Sequence, residues 1–95
     1  MKIKVHYISL VKSFTKTSQD EFDLKEPETL SDAMLKIAEK YGKPFTQEVY
    51  DPDRKEIKPT FVAMVNGIHM DQLKGLSTPL KDGDTIILMS LMTGG

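Results

Sequence analysis

The chain has 95 residues, no cysteine, and 13 basic against 14 acidic residues, for a formal net charge of −1. That length supports one core and no large enclosed cavity, and the missing cysteines exclude a disulfide framework, a cysteine nucleophile and a thiolate metal site. The balanced charge argues against coating nucleic acid, and no apolar run approaches the roughly 20 residues of a membrane helix.

The opening Met1-Lys2-Ile3-Lys4-Val5-His6-Tyr7 has neither an apolar signal segment nor a small-residue cleavage site, so a cytoplasmic domain is expected. Ile3, Val5 and Tyr7 alternate with Lys2, Lys4 and His6, the pattern of a half-buried strand over residues 2 to 10. Ile8 and Leu10 break it by falling on the lysine side. Ser13 to Ser18 reads as a polar loop around Phe14. Phe22 and Leu24 alternate with Glu21, Asp23 and Lys25, a second strand returning as a hairpin. Leu30, Ala33, Met34, Ile37, Ala38 and Tyr41 form one apolar stripe, which predicts a helix from Leu30 to Tyr41. Thr29 and Asp32 supply an aspartate version of the capping box. Lys40, Gly42 and Pro44 mark the end of that helix.

Residues 43 to 59 permit two readings. Either Val49-Tyr50 pairs with Glu56-Ile57 across Asp51-Pro52-Asp53-Arg54, or the segment is an irregular loop. Phe61 to Val65 is an apolar strand running into Asn66-Gly67, a dipeptide suited to a tight hairpin because both residues tolerate positive φ. A short strand Ile68 to Met70 follows. Gly75, Ser77 and Pro79 keep the next stretch from forming a long helix, Asp82-Gly83-Asp84 is a turn, and Thr85 to Met92 is the last strand. The order strand, strand, helix, strand, short strand, strand is most economically a helix lying across one face of a mixed sheet. The expected class is α+β, a β-grasp of the ubiquitin type, with four to five strands and one main helix. The domain spans 1–92, and 93–95 form a flexible tail.

The last strand is apolar on both faces, with Ile86 and Leu88 on one and Ile87, Met89 and Leu91 on the other. A 12-residue helix covers only one face of a sheet. If the first and last strands are neighbours, Ile8, Leu10, Ile87, Met89 and Leu91 make one uncovered cluster, the usual mark of a partner surface. The alternative is that loops fold over that face through Phe14, or through Phe45 and Tyr50.

The sequence ends Leu91-Met92-Thr93-Gly94-Gly95. Two glycines in sequence at an end arise by chance roughly once in 200 chains at a background usage of about 7%. Chemically, two residues without Cβ make a thread thin enough for a narrow channel, and they leave the terminal carbonyl without steric protection. A carboxylate is a poor electrophile until it is activated, for instance as an acyl-adenylate, whereupon sulfur or an amine attacks it.

With that ending, the order of elements and the apolar outer face, the chain resembles the MoaD/ThiS family of ubiquitin-like sulfur carriers. Phe61-Val62-Ala63-Met64-Val65-Asn66-Gly67 looks like the family's apolar strand ending in Asn-Gly. The run Leu73-Lys74-Gly75-Leu76-Ser77-Thr78-Pro79-Leu80-Lys81-Asp82-Gly83-Asp84 looks like its turn-rich approach to the final strand. The spacer between helix and third strand is similar to that of MoaD-like members. The resemblance implies that a MoeB-type enzyme adenylates Gly95 with ATP and Mg²⁺, and that sulfur then converts it to a thiocarboxylate. The tail, with Thr93 and Gly94 lining the thread, would enter MoaE, the large subunit of molybdopterin synthase, and give its sulfur to a pterin precursor. The chain would itself be a monomer when free and a co-substrate rather than a self-sufficient catalyst. Ile8, Met89 and the neighbourhood of His69 correspond to partner-contacting positions. Many MoaD proteins carry prolines before the tail; here Ser90-Leu91-Met92 stand in that place. Related small modifiers use the same activated carboxylate to form isopeptide bonds with lysines or to supply sulfur for tRNA thiolation.

The remaining features read as structure. His6 and His69 lack metal-ligand spacing. Asp51-Pro52-Asp53 and Asp82-Gly83-Asp84 lack the other ligands of a calcium loop. The acid-rich run from Asp20 to Asp32 suits docking on a basic partner, and equally a solvated hairpin edge and a helix start. No phosphate-binding glycine motif is present, so no cofactor is expected on the chain itself and ATP would be a partner's substrate.

Overall fold

Strand β1 (Lys2–Ile8) keeps the alternation read from its sequence, burying Ile3, Val5 and Tyr7 and leaving Lys2, Lys4 and Ile8 exposed. The computed structural model describes residues 1–91. β2 (Gln19–Asp23) returns antiparallel to β1, and β7 (Thr85–Ser90) runs parallel to β1 on its other side. β5 (Phe61–Val65) pairs antiparallel with β7, and β6 (Ile68–His69) closes the order β2-β1-β7-β5-β6. The β5–β6 turn uses Asn66 and Gly67 at φ 52° and 82°, the left-handed geometry that this dipeptide tolerates.

Helix α2 (Leu30–Tyr41) has the limits that its apolar stripe predicts. Thr29 donates its backbone N–H to Asp32 Oδ2 at 2.8 Å, which holds the first turn. Leu30, Ala33, Met34 and Ile37 are fully buried against the inner face of the sheet, with Ile3, Val5, Ile86 and Leu88. This is the β-grasp arrangement, with a mixed five-stranded sheet.

Four local readings need correction. Residues 13–18 are not simply a loop: α1 (Val11–Thr15) is one turn that buries Val11 and Thr15. The chain does not stay irregular after Gly42: α3 (Lys43–Glu48) begins there, with Pro44 in its first turn, where a missing N–H costs nothing. Beyond α3, β3 (Tyr50–Asp51) pairs with β4 (Glu56–Ile57), the hairpin alternative. The short strand stops at His69, as Met70 to Gln72 form a 3-10 turn, and the last strand stops at Ser90 rather than Met92.

The acid-rich run also divides. Asp20 is not a solvated acid: its side chain is 11% exposed and it ties β1, β2 and α2 together. Its carboxylate accepts from Tyr7 Oη at 2.9 Å, from Lys40 Nζ at 2.7 Å and from Tyr41 Oη. Burial opposes its ionisation, but the three hydrogen bonds prevail and hold the carboxyl below its ordinary range. Burial first, then the bond to Asp20, pushes Tyr7 and Tyr41 upward, so both remain hydroxyl donors.

Candidate functional site: the outer face of the sheet

The face of the sheet away from α2 is laid out by strand register. One cross-strand row runs Ile8, Met89, Val62, and the next runs His6, Ile87, Met64, His69. Below them Lys4 stands between Thr85 and Glu21. The result is an apolar patch of Ile8, Val62, Met64, Ile87 and Met89 with a charged border on the β2 side. Ile8 is 40% exposed, while Val62, in the middle of the sheet, is only 8% exposed.

Phe14, Phe45 and Tyr50 do not close over this patch. Phe14 turns to the inner side, where its ring meets Phe61 edge-on at 6.5 Å. Phe45 and Tyr50 are core residues, both essentially fully buried. Their departure to the inner side follows from α1 and α3, whose buried positions Val11 and Phe45, with Val49 just after α3, join the same core.

The residues expected at a partner surface are placed as follows. Ile8, Ile87 and Met89 share the patch. Leu10 is not on the strand: β1 ends at Ile8, and Leu10 precedes α1 with its N–H 3.4 Å from Ser90 Oγ. Leu10 is nonetheless 46% exposed. Leu91 follows β7, is 62% exposed, and donates its N–H to the Thr60 carbonyl at 2.7 Å. His69 lies on β6 opposite Met64, at the margin of the patch. Its Nδ1 accepts the Asp71 N–H at 3.0 Å, so the ring is held over the 3-10 turn that follows. Thr93, Gly94 and Gly95 lie outside the described residues.

Val62, Met64 and His6 belong to this face and were missed as candidates. The parity of Phe61-Val62-Ala63-Met64-Val65 was the available signal: a strand apolar on both sides shows alternate residues to each face.

The turns that frame β7 are structural. Asn66 Nδ2 donates to Asp84 Oδ1 at 2.8 Å, and Asn66 Oδ1 accepts the Thr85 N–H at 3.0 Å, fixing where β7 enters the sheet. Asp51 Oδ1 accepts the N–H groups of Asp53 and Arg54, an Asx-type turn. Among the described residues, no cluster of three or more His, Asp or Glu is placed to hold a metal ion. No helix among them is long and apolar enough to cross a membrane. A shallow concavity of about 490 Å³ in the segment that joins β6 to β7 is lined by Gln72, Leu73, Lys74, Thr78, Pro79 and Lys81, a set with no acid–base pair.

The geometry therefore leaves an apolar patch on the outer face beside β7, the strand that precedes the Gly-Gly sequence. The model of the ThiS family matches residues 5–95. No curated protein sequence matches the chain significantly. Among solved structures, SAMP1 (small archaeal modifier protein 1) of Haloferax volcanii superposes with a TM-score of 0.82 at 17% identity, covering 100% of both chains. A Pyrococcus furiosus protein provisionally described as molybdopterin converting factor, subunit 1, has a TM-score of 0.75 and 25% identity over 97% of this chain and 99% of its own. A chain of the BexX/CysO complex of Amycolatopsis orientalis gives 0.72 and 17%, covering 98% of this chain and 99% of that one. The match to nearly the whole sequence identifies the chain as a member of the ThiS family of ubiquitin-like sulfur carriers.

Proposed function

We propose that this sulfur carrier serves molybdopterin formation as the small subunit of molybdopterin synthase. The observation that carries the reading is the uncovered apolar patch on β1, β5 and β7 beside the strand that precedes Gly94-Gly95. A partner seated on Ile8, Ile87 and Met89 would lie beside β7, the strand that precedes the Gly-Gly sequence. The Pyrococcus furiosus protein, similar over almost the whole chain, supports the choice of pathway.

The chemistry belongs to the terminus. A MoeB-type enzyme joins the Gly95 carboxylate to the AMP of ATP and releases pyrophosphate. Hydrosulfide, the sulfur donor at the sulfide level, then attacks the carbonyl and expels AMP, leaving a thiocarboxylate. In complex with a MoaE-type subunit the thiocarboxylate sulfur passes to the pterin precursor, and hydrolysis of the resulting acyl group returns the carboxylate. ATP and Mg²⁺ are thus substrates of the activating enzyme.

A second reading is a protein modifier, in which lysine nitrogen attacks the same activated carbonyl, or a sulfur donor for tRNA. Its support is the likeness to SAMP1 and the absence of proline from Ser90-Leu91-Met92. The test combines the sulfur-loaded chain, a MoaE-type subunit from the same source and the pterin precursor. Formation of the dithiolene pterin is expected. Absence of product, with lysine-linked adducts carrying the terminal glycines, would replace this reading with the second.

A further inference from the structure

The end of β7 lies against α1. Ser90 closes the inner column Ile86, Leu88, Ser90 and is 3% exposed, so a hydroxyl is buried where the two preceding residues are aliphatic. A buried hydroxyl is costly unless it is hydrogen-bonded. Its oxygen accepts the Leu10 N–H at 3.4 Å, from 80 residues away in the sequence. Leu10 immediately precedes α1, and N–H groups at a helix start have no acceptor within the helix. Ser9, at φ 59°, has just turned the chain out of β1, which takes Leu10 off the ladder that pairs Ile8 with Met89.

The same helix makes a second contact here. Ser90 stands opposite Phe61 in the β5–β7 register, and the Phe61 ring meets the Phe14 ring of α1 edge-on at 6.5 Å. One residue further, Leu91 donates its N–H to the Thr60 carbonyl at 2.7 Å. That bond prolongs the pairing with the β5 side by one step, although Leu91 itself is exposed. A five-residue helix does not persist alone. Val11 and Thr15 anchor α1 in the body, and Leu10 and Phe14 join it to the end of β7 and to its neighbour on β5.

We propose that α1 is a clasp on the end of β7, and that Ser90 is a positioning residue for the activation of Gly95. The clasp fixes Leu91 as the point from which the four residues 92–95 start. This rests on the reading that Gly95 is the activated end, and it deepens that reading by naming what aims it. Four residues span at most about 14 Å, so the place of Leu91 decides what the Gly95 carboxylate can reach on an enzyme seated against the body. With the clasp closed, the backbone of Ser90 and Leu91 is ordered before the enzyme is met. With the clasp open, that ordering is drawn from the binding energy. The loss falls equally on the bound ground state and the transition state, so it shows in KM and not in kcat.

The test is chain-dependent ATP–pyrophosphate exchange by the MoeB-type enzyme of the same source, beside amide hydrogen exchange of each free chain. Ser90→Ala withdraws the acceptor from Leu10, and Phe14→Ala withdraws the ring from Phe61, so the clasp is opened from either side. In both variants the Leu91 amide should exchange at least about tenfold faster, while the Ile87 and Leu88 amides in the middle of β7 keep their protection. KM for the chain should rise about tenfold, the cost of fixing one residue's backbone, with kcat within about twofold of wild type. An unchanged KM in variants whose Leu91 amide has lost protection would overturn the inference. So would unaltered Leu91 protection in both variants, or a loss of Ile87 and Leu88 protection that marks Ser90 and Phe14 as core residues only. No exchange with the wild-type chain, under conditions in which another ThiS-family protein supports it, would bring down the reading of Gly95 and this inference with it.

Discussion

Ile8 on β1 lies directly opposite Met89 on β7 in parallel register, and Met89 lies opposite Val62 on β5. This contact places the apolar end of the first strand beside the last residues of the final strand, on the side that α2 does not cover. Met89 is half-buried and lies outside the core cluster, on the face that α2 leaves open. Met89→Lys should reduce partner affinity at least tenfold, as expected for a central interface position. Its melting temperature should stay within a few degrees of wild type, and calorimetric titration together with a thermal melt would check both. Unfolding of Met89→Lys would instead place the residue in the core.

The inner side makes the opposite expectation. Ile37 is fully buried between α2 and the sheet, so Ile37→Ala should cost about 2–4 kcal/mol through lost burial and a residual cavity. Urea unfolding would show this as a lower midpoint with an unchanged slope.

Asp20 gives a pH dependence with a defined sign. Its carboxyl is held below the ordinary range by Lys40, Tyr41 and Tyr7 against the cost of burial. A carboxylate depressed in the folded state contributes stability above its unfolded value, about pH 3.9. That contribution is lost as the pH falls through the lower folded value. Asp20→Asn should therefore lower stability at neutral pH by about 1–3 kcal/mol, because buried Tyr7 loses its charged acceptor. The variant should also show a shallower loss of stability below pH 4 than wild type. Thermal melts from pH 2.5 to 7 would test both statements, and parallel curves would contradict the assignment.

How much of this was legible depends on the range of the determining contacts. Helix α2 was readable to its ends, since its stripe, capping box and Gly42 are all local. The adjacency of first and last strands was conditional in the sequence, because nothing local ties Ile8 to Met89 across 81 positions. Helices α1 and α3 were missed for another reason. Each is a turn or two long, and only the pairs Val11–Phe14 and Phe45–Val49 carry helical spacing. Tertiary burial decides such short helices, since isolated ones are marginal. Asp20 looked like one acid among several; its partners Tyr7 and Tyr41 lie 13 and 21 residues away, and only the fold shows that one carboxylate serves both.

The reactive end should be separable from the folded body. The inner face of β7 is closed by Leu88 and Ser90, both buried, upstream of the terminal glycines. Deleting Gly95 should leave the melting temperature unchanged within a degree or two and abolish sulfur loading. A large loss of stability on deletion would contradict that separation.

The most direct test of the account is the intact mass of the chain after incubation with its host's adenylating enzyme, ATP, Mg²⁺ and a sulfur donor, with the Gly95 deletion alongside. The account predicts the mass change of one oxygen replaced by sulfur, on the full-length chain only and localised to Gly95 by fragmentation. An unchanged mass under conditions that load another ThiS-family protein, or a gain that persists in the deletion, would contradict it.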